Sequence, residues 1–219
     1  LAQRGVIVSA RRVQTGSVRA PTGEKRVARG GVPSYGKLRR DVEMWLREDA
    51  GADARFTTML DLHALPDDFP GMSAAACCSD LYERLSRLEQ AMREDIGDRR
   101  FIPYLQAHEF EALVFADPTR LELEFPGRER EIARLVELVA AFPTPEHIDD
   151  GPDTAPSKRL LAVLPDYRKV TTGPIVVAAI GLKVIREKCR HFDQWLTTLE
   201  HLDTREAPGG HGHEDRCYQ

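Results

Sequence analysis

ARFTTMLDLHALPDDFPG, residues 54–71, is the stretch on which the reading of this chain turns. Its first half, ARFTTMLDL (54–62), is a short run rich in Phe, Thr, Met and Leu, which is strand composition. The run ends in Asp61, and a loop bracketed by Pro66 and Pro70 then adds Asp67 and Asp68. An acid at the end of a buried strand costs free energy unless something compensates it. In a parallel α/β sheet the C-terminal strand edge is where ligands bind, because loops and helix N-termini converge there. Asp61 at that edge has two uses, as a general base or as a ligand for a hard cation such as Mg2+ or Mn2+. Asp67 and Asp68 lie far enough along the loop to fold back toward it. Turn capping by Asp61, with two solvated loop acids, explains the same residues more plainly.

Outward from this stretch the pattern alternates. SYGKLRRDVEMWLRED (34–49) reads as a helix capped by Ser34, with Tyr35, Leu38, Val42, Trp45 and Leu46 at helical spacing. SDLYERLSRLEQAMREDIGD (79–98) is the clearest helix, with Leu81, Leu85, Leu88 and Met92 in one stripe and Gly97 placed to end it. RFIPYLQ (100–106) returns to strand character, and HEFEALVFADP (108–118) starts as a helix that stops before Pro118. The opening LAQRGVIVSARRV reads as a helix tail followed by a strand. Strand, helix, strand, helix predicts an α/β domain with a small, mostly parallel sheet flanked by helices. From about residue 120 the chain turns mainly helical, over 128–142, 155–165, 173–189 and 192–202. Residues 203–219 carry no apolar period and read as a disordered tail.

At 219 residues the chain can bury one sizeable core, and 42% hydrophobic with 30% charged residues is ordinary globular composition. No stretch has the length of a membrane span, and no apolar segment follows a basic start. Four cysteines, two of them the adjacent Cys77 and Cys78, match no disulfide framework or zinc spacing, which points to a reduced, cytosolic compartment. The net charge of −4 names no partner. It is unevenly spread, however. Residues 11–40 hold many Arg and Lys against the single acid Glu24, and TGSVRAPTGEKRVARGGVP within them reads as a mobile loop. A basic loop around Arg26 and Arg29, beside an acidic site, suits a phosphate backbone and hence a nucleic acid. A solvated loop with no ligand is an equal reading.

Two further clusters could carry chemistry. HEFE (108–111) follows the second strand, so His108, Glu109 and Glu111 should emerge beside Asp61. On a helix the two glutamates cannot share a face, and Glu111 is expected inward because Ala112, Leu113 and Phe115 around it look buried. A zinc-protease HExxH needs histidine at 112, which is Ala112. IDDGPDTAPSKRL (148–160) crowds Asp150, Ser157, Lys158 and Arg159 around a helix start, where Lys158 and Arg159 could hold a phosphate or offset charge developing on one. The Walker spacing is absent, and a capped helix start with surface charges fits as well.

Together GGVPSYGKLRRDVEMWL (30–46), TTMLDLHALPDDFPG (57–71), DIGDRRFIPYLQAHEFEALVFADP (95–118), IDDGPDTAPSKRL (148–160) and GPIVVAAIGLKVIREKCRHFDQWL (173–196) resemble domain-of-unknown-function family 4276. The resemblance runs from near Leu1 to about Leu202. It implies a Toprim-like fold, the metal-binding fold of topoisomerases, primases and the overcoming-lysogenization-defect nucleases, over residues 1–120. A helical part, 121–202, would pack on it. It further implies a nuclease using Mg2+ or Mn2+, with Asp61, Glu111 and Lys158 catalytic and Asp61, Asp67, Asp68, Glu109 and Glu111 available to the metal. Arg26, Arg29, Lys158 and Arg159 would then bind phosphate. Family settings suggest phage defence or mobile elements and an ATPase partner. His63 stands where many Toprim proteins have a second acid. Their N-terminal E-G-x-T-E turn has no counterpart here, so a missing upstream segment is expected. The same features leave open a non-catalytic adaptor of an ATPase, or a small-molecule phosphohydrolase.

Overall fold

The fold is known from a computed structural model, which describes residues 7–13, 34–148 and 154–202, and the backbone alone at 17–19 and 25–27. Its centre is a single pair of parallel segments. β3 (Phe56–Thr57) pairs with β5 (Phe101–Ile102), and β4 (Leu60–Asp61) with β6 (Leu105–Gln106), in one unbroken register. Each expected strand is thus split in two. The cause is Pro103, which has no N–H for the ladder. Thr58 bridges the gap: its hydroxyl accepts the Tyr104 N–H at 3.0 Å and donates to the Tyr104 carbonyl at 3.1 Å.

Alternate residues of the 101–107 segment face two different cores, as strand periodicity requires. Phe101, Leu105 and Ala107 join Leu38, Val42 and Leu46 of α1 (Tyr35–Glu48) and Leu85, Leu88 and Met92 of α3 (Leu81–Ile96). Tyr104 joins the other cluster, built from α4 (Glu129–Ala140), α5 (Pro156–Val163), α6 (Thr172–Ile180), α7 (Leu182–Lys188) and α8 (Arg190–Glu200). The sheet segment is therefore the wall between an α/β half and a helical half. Residues 113–116 and Leu121 pack with the helical half. Across the wall, Tyr104 is sandwiched between Trp195, at 4.3 Å, and His191, at 5.2 Å between ring centroids. The fully buried Glu146 accepts hydrogen bonds from the Tyr82 hydroxyl and from the His191 and Phe192 N–H groups, fixing the start of α8.

Several local readings need correction. Ser34 occupies the N-cap of α1 but makes no capping bond; the carboxylate of Asp68 does so instead, accepting the Tyr35 N–H at 2.8 Å. Part of the basic loop is a hairpin, β1 (Ser17–Arg19) antiparallel to β2 (Lys25–Val27). Residues 7–13, expected to include a strand, have no regular structure. A short helix, α2 (Met72–Ala75), forms within the weakly patterned GMSAAACC. Gly181, at φ +81°, breaks the expected 173–189 helix into α6 and α7. Leu1 and residues 203–219 lie outside the described residues. No described helix is long and apolar enough to cross a membrane.

Candidate functional site

Asp61 closes β4 and the 108–111 segment follows β6, so adjacent parallel strands deliver both to one edge. Phe110–Ala116 is a tight 3-10 segment rather than the expected α-helix. Its first N–H, that of Phe110, is taken by the Asp61 carboxylate at 3.0 Å, and Asp117–Pro118 ends it seven residues on. The one described non-glycine residue with positive φ stands at its entrance: His108, φ +58°. That strained turn re-aims the chain between β6 and the 3-10 segment. The His63 N–H donates to the His108 carbonyl at 3.2 Å, extending the parallel register one step past the strands.

Three carboxylates meet electrostatically at this edge. Glu111 is 3% exposed; burial, reinforced by the charges of Glu109 and Asp61, pushes its carboxyl up to about 7 against the pull of Lys169. Burial and then the Glu109 charge push Asp61 up to about 6, against its Phe110 hydrogen bond and Lys169. Glu109 behaves differently. Burial raises it, but the Ser157 hydroxyl and N–H and the Lys169 ammonium outweigh that and hold it below the usual range. Its two oxygens are both engaged, Oε2 by the Ser157 N–H and Oε1 by Lys169 Nζ, each at 3.0 Å. Lys169 acts on all three acids and is about half exposed, so one ammonium at the rim serves the whole cluster. Tyr167, 4% exposed, stands in the field of Glu111 and Glu109, and its buried hydroxyl has no hydrogen-bond partner among the described residues.

A family model described as a domain of unknown function (DUF4276) matches residues 1–200. The chain belongs to that family. No curated protein and no solved structure matches it.

In this DUF4276 chain the structure brings Asp61, Glu109, Glu111, His108 and Ser157 together. The prolines of the 66–70 loop do not return its acids to the site: Asp67 is exposed, and Asp68 is engaged at α1. Glu109 is not the solvent-facing partner of an inward Glu111; both are drawn in, because a 3-10 segment entered through a left-handed residue lacks helical phasing. The α5 N-terminus, expected to receive a phosphate beside Lys158 and Arg159, is occupied by Glu109. Lys158 is exposed there, and Arg159 turns away to the Thr154 carbonyl, at 2.7 Å, and the Phe142 ring. Arg29, Asp150 and the side chain of Arg26 lie outside the described residues. Lys169 and Tyr167 were missed, since DYRK (166–169) is a short polar turn between two helices with no local mark of function. Among the described residues, no three His, Cys, Asp or Glu are grouped closely enough to grip a metal ion by themselves.

Proposed function

We propose that this protein is a divalent-cation-dependent phosphodiester hydrolase, a nuclease of Toprim-like descent. The observation that carries the reading is the pair Asp61 and Glu111, one ending a strand and the other following the strand beside it, both raised by burial and by the Glu109 charge. Carboxyls perturbed by burial together with specific charge partners cluster at functional sites. The residues fit a hydrated ion rather than an all-protein cage, because magnesium keeps several waters and takes only one or two carboxylates. Asp61 and Glu111 would hold Mg2+ or Mn2+, which supplies polarisation of the phosphoryl group and activation of water. Glu109, anchored by Ser157, fixes the Lys169 ammonium at the rim. Lys169 therefore replaces Lys158 as the cation facing a substrate phosphate. Tyr167, buried in the field of Glu111 and Glu109, lowers the local dielectric and so would strengthen charge interactions there.

The test is supercoiled-plasmid nicking with Mg2+ and Mn2+, run beside hydrolysis of bis(p-nitrophenyl) phosphate. Nicking by the wild type that is lost in Asp61→Asn and Glu111→Gln is the expected result. Hydrolysis of the small diester without nicking would point to a small-molecule phosphohydrolase. Absence of both activities would refute the reading. An adaptor role then gains weight, because Val170, Ile175 and Leu182 are exposed apolar side chains around α6 that could meet an ATPase partner.

A further inference from the structure

The hydroxyl of Tyr167 is closed off from water and has no hydrogen-bond partner among the described residues, in a side chain only 4% exposed. A buried hydroxyl in that state is costly, and a phenylalanine would fill the same space without the cost. The surroundings nevertheless make room for the oxygen. A Cβ at position 173 would lie 2.8 Å from it and 3.4 Å from the Phe110 ring, so Gly173 leaves the space that the hydroxyl occupies. Phe110 in turn opens the 3-10 segment that carries Glu111, and its N–H is held by Asp61. The hydroxyl is thus placed beside the acidic site, in the field of Glu111 and then of Glu109.

The acids there do not satisfy it. Glu109 has one oxygen on the Ser157 N–H and the other on Lys169, Asp61 takes the Phe110 N–H, and Glu111 turns to its own N–H. Burial, and then the charges of Glu111 and Glu109, push the Tyr167 phenol above its ordinary range, so it keeps its proton and remains a donor. Lys169 stands two residues along the same turn. Tyr167 is the one buried residue of an otherwise exposed stretch, 165–171, so movement of surface chain alone can uncover the hydroxyl. A neutral donor and an ammonium on one turn, opposite carboxylates that take a cation, are complementary to a phosphoryl group, whose oxygens need donors as well as the cation.

We propose that Tyr167 is a substrate-binding residue whose hydroxyl donates to a non-bridging oxygen of the phosphoryl group, beside Lys169. The proposal rests on the phosphodiester reading of the neighbouring carboxylates and adds the anion-binding side of that site. The unpaired hydroxyl of the free protein is the feature it explains: stability is given up so that a donor is ready when the substrate oxygen arrives.

The experiment compares the full-length wild type with Tyr167→Phe in three measurements. In thermal denaturation in EDTA the variant should melt at the same temperature or higher, because it loses an unpaired hydroxyl and keeps the ring. A clear fall in Tm would show that the hydroxyl is already bonded inside the free protein, and overturns the proposal. In calorimetric titration with inorganic phosphate, in the presence of Mg2+, the variant should bind at least about tenfold more weakly. Equal binding by the two proteins overturns the proposal, as does the absence of phosphate binding by the wild type. In hydrolysis of bis(p-nitrophenyl) phosphate with Mn2+, kcat should fall by about a hundredfold, the usual effect of removing one donor from a developing oxyanion. If the wild type hydrolyses the diester and Tyr167→Phe does so equally well, the carboxylate reading stands and the role of Tyr167 falls. If phosphate binding depends on Tyr167 while neither protein hydrolyses the diester or nicks plasmid, the anion site stands and the hydrolase reading falls.

Discussion

Glu111→Gln should make the metal-free protein more stable, and more so as pH rises. The carboxyl titrates at 4.5 ordinarily and at about 7 in the fold. Between those values the folded chain holds a proton that the unfolded chain has released, so wild-type stability falls as pH climbs from about 4.5 through about 7. Above that window the whole cost is present, and below it none is. Glutamine keeps the shape and removes the charge. The free energy recovered is about 3 kcal/mol at pH 8 and under about 1 kcal/mol at pH 5. For a chain of this size that corresponds to roughly 6–12 °C in Tm at pH 8. Asp61 and Glu109 share the same field, so the lower half of the range is expected. The assay is thermal denaturation in EDTA at pH 5 and pH 8, with urea melts as a check. A Tm gain equal at the two pH values, or a loss at pH 8, would show that Glu111 is neutral or well paired in the fold and would refute the reasoning. Adding Mn2+ at pH 8 should narrow the gap by stabilising only the wild type.

Two other perturbations probe the frame of the site. A methyl group at Gly173 would sit 2.8 Å from the Tyr167 hydroxyl oxygen, so Gly173→Ala should cost about 1–3 kcal/mol in urea denaturation. Adding Tyr167→Phe removes the clashing oxygen and should restore most of the loss, whereas additive losses in the double variant would place the strain elsewhere. Thr58→Val keeps the shape but leaves the Tyr104 N–H and carbonyl without the hydroxyl that bridges the Pro103 gap, and should destabilise by about 1–3 kcal/mol. Hydrogen exchange at the Tyr104 amide should quicken in the same variant, and an unchanged rate would argue against the bridge.

Much of the framework was legible because it is local. The apolar stripes of α1 and α3 follow from helical spacing, Gly97 ends α3 in a left-handed turn as expected, and Phe56 lies in the buried cluster beneath the strands with Leu60 packed against it. Burial of Glu111 was readable from its apolar neighbours. Errors arose where a local signal competed with a distant partner. Ser34 had the right chemistry for a cap, yet Asp68, thirty-three residues beyond Tyr35 along the chain, displaced it. Arg159 had the right charge for a phosphate but found the Phe142 face and a carbonyl within reach.

The amino-acid sequence by itself determined the main helices, the two parallel segments, their order and the presence of an acid at the end of a core strand, because periodicity, turn residues and strand composition act over a few neighbours. The family follows from the same string of motifs. Only the tertiary structure decided which acids meet. It joined Asp61 to Glu109 and Glu111, gave Glu109 to Ser157 and Lys169, and set His63 beside His108. Those contacts span 45 to 60 residues and depend on the register of two short parallel strands, a quantity that no local pattern encodes.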